Sequence, residues 1–296
     1  MTVNTSEHIS DIFCRKIKDK GLISLGFDPV FEKMPQFLKN DSNIYNVLTS
    51  FFKLMLEALH DKIPLIKFQS ADFEVYGIEG LKALTYCLKE TKKAGLLTLL
   101  DVKRGDIGRS SESYAKAYLS PKRQIANIVQ DNEFEADAIT ISPYMGSDSL
   151  EPFIQKAKLY NKLLFILLKT SNPGASLVQD ICDKKGSVSE QLANWINNQC
   201  INDLSKSGLS RIGVVVGATQ DNAVHFRTLL PHCLFLMPGL GAQGGSIATV
   251  KKCLTNKNLG VIAPISRSLL YPDKEAKNKF EYIENIYNNF NLFSHL

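Results

Sequence analysis

Long apolar runs are missing from this chain: the longest, such as Leu163 to Leu168, fall far short of the roughly 20 residues that span a bilayer. The opening MTVNTSEHISDIFCRK carries acidic residues and no apolar core, so it does not read as a secretory signal. The six cysteines (Cys14, Cys87, Cys182, Cys200, Cys233, Cys253) form no CxxC pair, which fits reduced thiols better than a disulfide framework. The five histidines show no HxH or HExxH spacing, so zinc chemistry has no foothold. No Lys/Arg block exceeds two residues, and 35 Lys+Arg against 30 Asp+Glu leave a net charge of only +5. Neither a nucleic-acid patch nor a membrane-binding one is indicated, whereas an acidic small molecule fits equally well. Together these features predict a soluble cytoplasmic protein.

What is present is a repeat of short apolar runs, most ending at Gly, Pro, Asp or Ser: 22–28, 63–68, 96–102, 136–142, 162–170, 211–217, 233–239 and 259–265. They are nearly continuous in Leu, Ile and Val, as strands covered on both faces of a parallel sheet are. Between most of them lie stretches with apolar residues at three- and four-residue steps: 43–61, 79–93, 147–159, 187–205 and 245–254. Eight βα units in 296 residues predict an α/β protein with a (β/α)₈ TIM barrel, for which about 250 residues is typical. An open doubly wound sheet is the rival. Ile9, Ile12, Phe13 and Ile17 predict a helical extension over about 1–21 that covers the barrel bottom. The connections 105–135 and 171–210 are long enough to hold a helix and a functional loop. No linker or charge block divides the chain, so residues 1–296 read as one domain.

In such a barrel the chemistry belongs at the C-terminal ends of the strands. The third run ends in Asp101-Val102-Lys103-Arg104-Gly105-Asp106, where period-two geometry sends Asp101 and Lys103 to one side and Gly105 lets Asp106 turn back. An isolated DxKxxD also reads as an ion-paired strand end in solvent. Asp28 ends the first run, however, and Lys67 lies inside the second, where a lysine is costly unless paired. Lys67, Asp101, Lys103 and Asp106 are therefore expected to form one network of alternating charge. Residues 239–244 formally satisfy GxGxxG, but about 20 residues on stand Gly260-Val261-Ile262, with no acid to hold a ribose. In a barrel, glycines after strand seven and Ser266-Arg267-Ser268 after strand eight suit a phosphate instead. Lys169-Thr170-Ser171-Asn172-Pro173-Gly174 offers Ser171 to the polar edge of a planar ring, and Ser142-Pro143-Tyr144-Met145-Gly146 offers apolar packing; either is also simply a loop.

LGFDP, the Lys67 strand, DVKRGDIG, SPYMG, KTSNPGA, PGLGAQGG and the terminal SRS, in that order from about Leu22 to Tyr271, together resemble the orotidine 5′-phosphate decarboxylase family. The long inserts and the SPYMG and TSNPG forms are similar to the type 2 branch found in mycobacteria and many other bacteria. The resemblance implies decarboxylation of orotidine 5′-phosphate to UMP without metal or other cofactor, in a homodimer. It also implies roles. Asp28 and Lys67 hold the ribose hydroxyls, Lys103 donates the proton, and Asp101 sits beside the departing carboxylate. Asp106 reaches into the partner's site. Ser171 meets the pyrimidine amide edge, and Gln243 and Arg267 hold the 5′-phosphate, with Pro238, Gly244 and Ser266 at the same end of the substrate. Many members have Gly where Ser266 stands. Sugar-phosphate enzymes of the same barrel group, which use Mg²⁺ and an enediolate, also carry DxKxxD, and a silent nucleotide-binding barrel is the non-enzymatic alternative.

Overall fold

The computed structural model describes residues 7–219, 222–240 and 244–294. Eight parallel strands close into a barrel: β1 (Ile23–Phe27), β2 (Leu65–Gln69), β3 (Leu97–Arg104), β4 (Ala138–Ile141), β5 (Leu163–Lys169), β6 (Ile212–Val216), β7 (Leu234–Leu236) and β8 (Val261–Ile265). Each pairs with its sequence neighbours, and β1 pairs with β8 to shut the ring. Each of the eight apolar runs therefore coincides with a barrel strand, β2 and β3 extending one and two residues past their runs. Burial on both faces explains their composition: one face fills the interior and the other meets the helical layer. The open doubly wound alternative is excluded by the closure of β1 on β8.

Period two decides which side chains face the helices and which face the barrel. Phe27 and Phe68 turn outward and pack with Phe51 and Phe52 of the helix Ile44–Leu59 and with Phe73, at ring separations between 5.3 and 6.3 Å. Their chain neighbours Asp28 and Lys67 are left on the other side, at the barrel mouth.

The helices Ile44–Leu59, Gly77–Lys93, Ser147–Tyr160, Val188–Ile201 and Ile247–Lys252 fall where apolar spacing predicts them. The fourth stops four residues before its predicted end, and just beyond it Asp203 binds Arg211, Oδ2 to Nε at 2.7 Å. Its start is set by a capping box between Ser187 and Glu190. The connection 105–135 holds the helix Gly108–Leu119 and an exposed antiparallel hairpin, Lys122–Ile125 with Ile128–Asp131. The connection 171–210 adds a short hairpin, Cys182–Asp183 with Gly186–Ser187. The helix Lys279–Asn291, which the spacing did not point to, packs Tyr282 against Phe51. At the chain start, the helix Ile9–Lys20 sets Phe13 on Phe165 of β5, with ring centroids 6.5 Å apart. Among the described residues no helix is long and apolar enough to cross a membrane.

Candidate active site

A cleft of about 620 Å³ opens at the C-terminal ends of the strands, lined by Asp28 just beyond β1 and by residues from each of the other seven. On one side lies a chain of charge. Lys67 Nζ donates to Asp28 Oδ1 at 3.0 Å and lies 3.5 Å from Asp101 Oδ2. Lys103 Nζ donates to Asp101 Oδ1 at 2.8 Å and to Gln69 Oε1 at 3.4 Å. Lys67 and Asp101 are buried, whereas Lys103 is exposed to the cleft. Burial works against the charge of Lys67, but the carboxylates of Asp28 and Asp101 outweigh it and hold the ammonium above its ordinary range. Burial likewise works against the charge of Asp101, and Lys67, Lys103 and the hydroxyl of Thr140 reverse that effect, holding its carboxyl below the usual range. The site therefore keeps a buried carboxylate ionised between two ammonium groups.

Asp101 and Lys103 converge by a route that plain strand geometry does not describe. Between Leu100 and Arg104, β3 spends four residues where β4 spends two, Ile139 to Ile141. The extra length is a bulge, and within it Lys103 has φ of 45°, a left-handed conformation that a side-chain-bearing residue adopts at a cost. Thr140 of β4 bridges the bulge. Its hydroxyl donates to Asp101 Oδ1 at 2.6 Å and accepts the Lys103 N–H at 2.9 Å. Arg104, the next residue, donates to Glu74 and lies over the rings of Tyr114 and Tyr118.

Asp106 corrects the expectation of one four-residue network. Its carboxylate accepts the N–H of Ile107 at 2.8 Å, it does not line the cleft, and it makes no ion pair with Lys67 or Lys103 of its own chain among the described residues. The turn at Gly105 is too tight for a side chain, since a Cβ there would lie 2.9 Å from the carbonyl oxygen of Ser142. That turn carries Asp106 away from the strand ends.

Across the cleft, Pro238, Gly239 and Leu240 follow β7, and Ser266 and Arg267 follow β8. Ser266 Oγ is buried with no hydrogen-bond partner among the described residues. Arg267 opens the short helix Arg267–Leu270 and is exposed to the cleft. An unused buried hydroxyl beside a guanidinium suits an anion. Gly244 does not line the cleft; with φ of 79° it turns the loop so that Gly245 N–H donates to Gly239 O at 3.0 Å. Gln243 lies outside the described residues.

Ser171 lines the wall between these ends, together with Thr170, Asn172 and Gln179. Gln179 staples the loop to the end of β5, accepting from Thr170 N at 3.0 Å and donating to Thr170 Oγ1 at 2.8 Å. Gly217 after β6 leaves room for Ser171, whose Cβ would be 3.0 Å from an added side chain there. Sequence reasoning overlooked Gln69, Thr140 and Gln179. Gln69 had a signal, two residues beyond Lys67 on the same strand face. Thr140 and Gln179 had none, because their contacts depend on inter-strand register and loop folding.

Comparison with known proteins adds to this geometry. The model of the Orotidine 5′-phosphate decarboxylase / HUMPS family matches residues 48–264. An orotidine 5′-phosphate decarboxylase of Caldicellulosiruptor bescii is 34% identical over 278 residues, covering 90% of each chain. Among solved structures, an orotidine 5′-phosphate decarboxylase assigned in Streptomyces avermitilis superposes with a TM-score of 0.78 at 27% identity, covering 98% of this chain and 95% of that one. The OMP decarboxylase of Leishmania donovani superposes with a TM-score of 0.71 at 26% identity, covering 98% and 99%.

Proposed function

The chain belongs to the orotidine 5′-phosphate decarboxylase / HUMPS family, and from that membership we propose that it converts orotidine 5′-phosphate to UMP and CO₂ by a cofactor-independent route. The observation that carries this reading is the buried Asp101 carboxylate held between Lys67 and Lys103 at the mouth of the barrel.

Loss of CO₂ from C6 of the pyrimidine leaves an electron pair in the ring plane, where the ring π system does not take it up. Charge must be met by charge. Lys103, as an ammonium, stabilises the developing C6 carbanion and then delivers its proton. Asp101 stands beside the substrate carboxylate and disfavours it more than the transition state, in which that negative charge is leaving. Asp28 and Lys67 hold the ribose hydroxyls, and Ser171 meets the amide edge of the ring. Arg267, with Gln243, Pro238 and the hydroxyl of Ser266, receives the 5′-phosphate, while Gly244 gives the loop after β7 its turn. One lysine does not supply the whole acceleration: enzymatic effects reach about 10¹⁷-fold, or roughly 23 kcal/mol. Binding of the remote phosphate contributes much of the rest through orientation.

We propose further that the protein is a cytoplasmic homodimer of one-domain subunits, with Asp106 entering the partner's site. Support comes from exposed Val75, Ile78, Ile107, Tyr144 and Met145, which follow β2, β3 and β4 at the same end of the barrel as the cleft. The six free cysteines favour a reducing compartment. The inserted hairpins and the TSNPG and SPYMG loops support placement in the type 2 branch.

The test is loss of ultraviolet absorbance when purified protein meets orotidine 5′-phosphate, with and without EDTA. Turnover is expected in both, and Lys103→Ala is expected to abolish it while UMP still binds. Absence of turnover by the unsubstituted protein, or turnover only with Mg²⁺, overturns the reading, the latter in favour of a sugar-phosphate reaction. For the shared site, mixing inactive Lys103→Ala with inactive Asp106→Asn is expected to restore activity, because a mixed dimer rebuilds one intact site. Mixtures that stay silent overturn it.

A further inference from the structure

Asp28 opens an irregular segment, Asp28-Pro29-Val30, that leads into the short helix Phe31–Lys33 and, among the described residues, makes no backbone-to-backbone hydrogen bond through its own second residue, a proline. Pro29 has no N–H, so the carbonyl of Asp28 and the N–H of Val30 are the backbone groups that flank it on either side. A single hydroxyl takes both. Tyr271 Oη accepts from Val30 N at 2.6 Å and donates to Asp28 O at 3.0 Å. Tyr76 serves the following groups, its hydroxyl accepting from Phe31 N at 2.9 Å and meeting Pro29 O at 3.4 Å.

Tyr271 is itself placed by the other end of the cleft. It follows the short helix Arg267–Leu270, its N–H donates to Arg267 O at 3.0 Å, and its ring stacks on Phe51 at 6.0 Å with an interplanar angle of 21°. One residue thus joins the backbone of Arg267 to the backbone of Asp28, 243 positions away from Tyr271 in sequence. Asp28 in turn binds Lys67, which reaches Asp101. Burial keeps the phenol protonated well above neutral pH, so that it donates and accepts together.

We propose that Tyr271 is a positioning residue for Asp28, and that through it the phosphate-binding and ribose-binding ends of the cleft are set as one unit. This rests on the decarboxylase reading. Tyr271→Phe removes the hydroxyl and leaves the ring on Phe51, so the fold is retained. The expected result is a fall of about tenfold in kcat/KM for orotidine 5′-phosphate, as two backbone groups lose their partner.

A role in general stability would lower the melting temperature without any link to Asp28, so the decisive measurement is a double-mutant cycle with Asp28→Asn. The loss caused by Tyr271→Phe is expected to shrink or vanish in the Asp28→Asn background. Tyr282→Phe, which removes a hydroxyl bonded to Leu270 O, is expected to show no such coupling. The cycle is run on kcat/KM and on UMP affinity, so that a variant too slow to assay still reports. A Tyr271→Phe protein equal to the unsubstituted one, or equal losses in both backgrounds, overturns the proposal. A protein that binds UMP but does not decarboxylate overturns the reading, while the cycle in UMP affinity still decides the role of Tyr271.

Discussion

Thr140 uses one hydroxyl to fix both halves of the ion pair at the end of β3, the carboxylate of Asp101 and the strained backbone of Lys103. Thr140→Val keeps the shape and removes the polar group. It is expected to cut kcat by about 10- to 100-fold, the equivalent of a lost hydrogen bond to a charged group, with KM little changed. Thr140→Ser retains the hydroxyl and should recover most of the rate; steady-state kinetics on both variants check this. At this scale the sequence was partly legible. Asp28, Lys67, Asp101 and Lys103 stood out because each places a charge at or inside an apolar run, an expense that demands a partner. Thr140 is an ordinary strand residue until the register of β3 on β4 is known. Tyr271 is an ordinary aromatic after the last strand until the barrel closes and brings it to Asp28.

Among the elements, Arg227 in the helix Ala223–Leu229 organises the N-terminal ends of β7 and β8. Its guanidinium donates to the carbonyls of Cys253, Leu230, Cys233 and Gly260 at 2.7 to 3.1 Å and lies over the ring of Phe235, 3.7 Å from its centroid. None of these partners is a carboxylate, and burial lowers its pKa to about 10. Arg227→Met would take a donor from four carbonyls, of which Leu230 O and Gly260 O keep a backbone N–H, at about 1 kcal/mol for each bond lost or weakened. Thermal unfolding is expected to show a loss on the order of 3 kcal/mol, with kcat/KM near normal at 25 °C because Arg227 does not line the cleft. The strands were legible because double-sided burial leaves a continuous apolar run. The helix around Arg227 was not, since its seven residues are too few for a periodic signal, and the exposed hairpin Lys122–Asp131 buries no face that would create one.

For the molecule as a whole, the closed end of the barrel holds an acid-sensitive lock. Asp203 lies between Arg211, at 2.7 Å, and His8, at 3.7 Å, and so ties the helix Ile9–Lys20 to the strand layer. Burial opposes its charge, but His8 and Arg211 prevail and lower its pKa from 3.8 to about 2. A carboxyl with a depressed native pKa contributes stability fully above the unfolded value and loses it as pH falls through the native one. The window is therefore pH 5 to 2, and the amount is on the order of 2 kcal/mol. Asp203→Asn is expected to reduce the difference between urea midpoints at pH 6 and pH 3; an unchanged difference would assign acid sensitivity elsewhere. Asp106 shows where reading from one chain stops, since it lies outside the cleft of its own chain and its proposed role calls for a second copy. The bulge in β3 bears on how this protein tolerates improvement. Only Asp101, Val102 and Lys103 stand between Leu100 and Arg104; deleting two of them would restore an unbroken ladder to β4 and relieve the left-handed backbone, and selection for robustness alone would favour such a change. Any such deletion removes Asp101 or Lys103 from the chain of charge that lines the cleft. A library screened only for heat tolerance should therefore accumulate inactive survivors altered at this one segment, and pairing the screen with a turnover assay would reveal them.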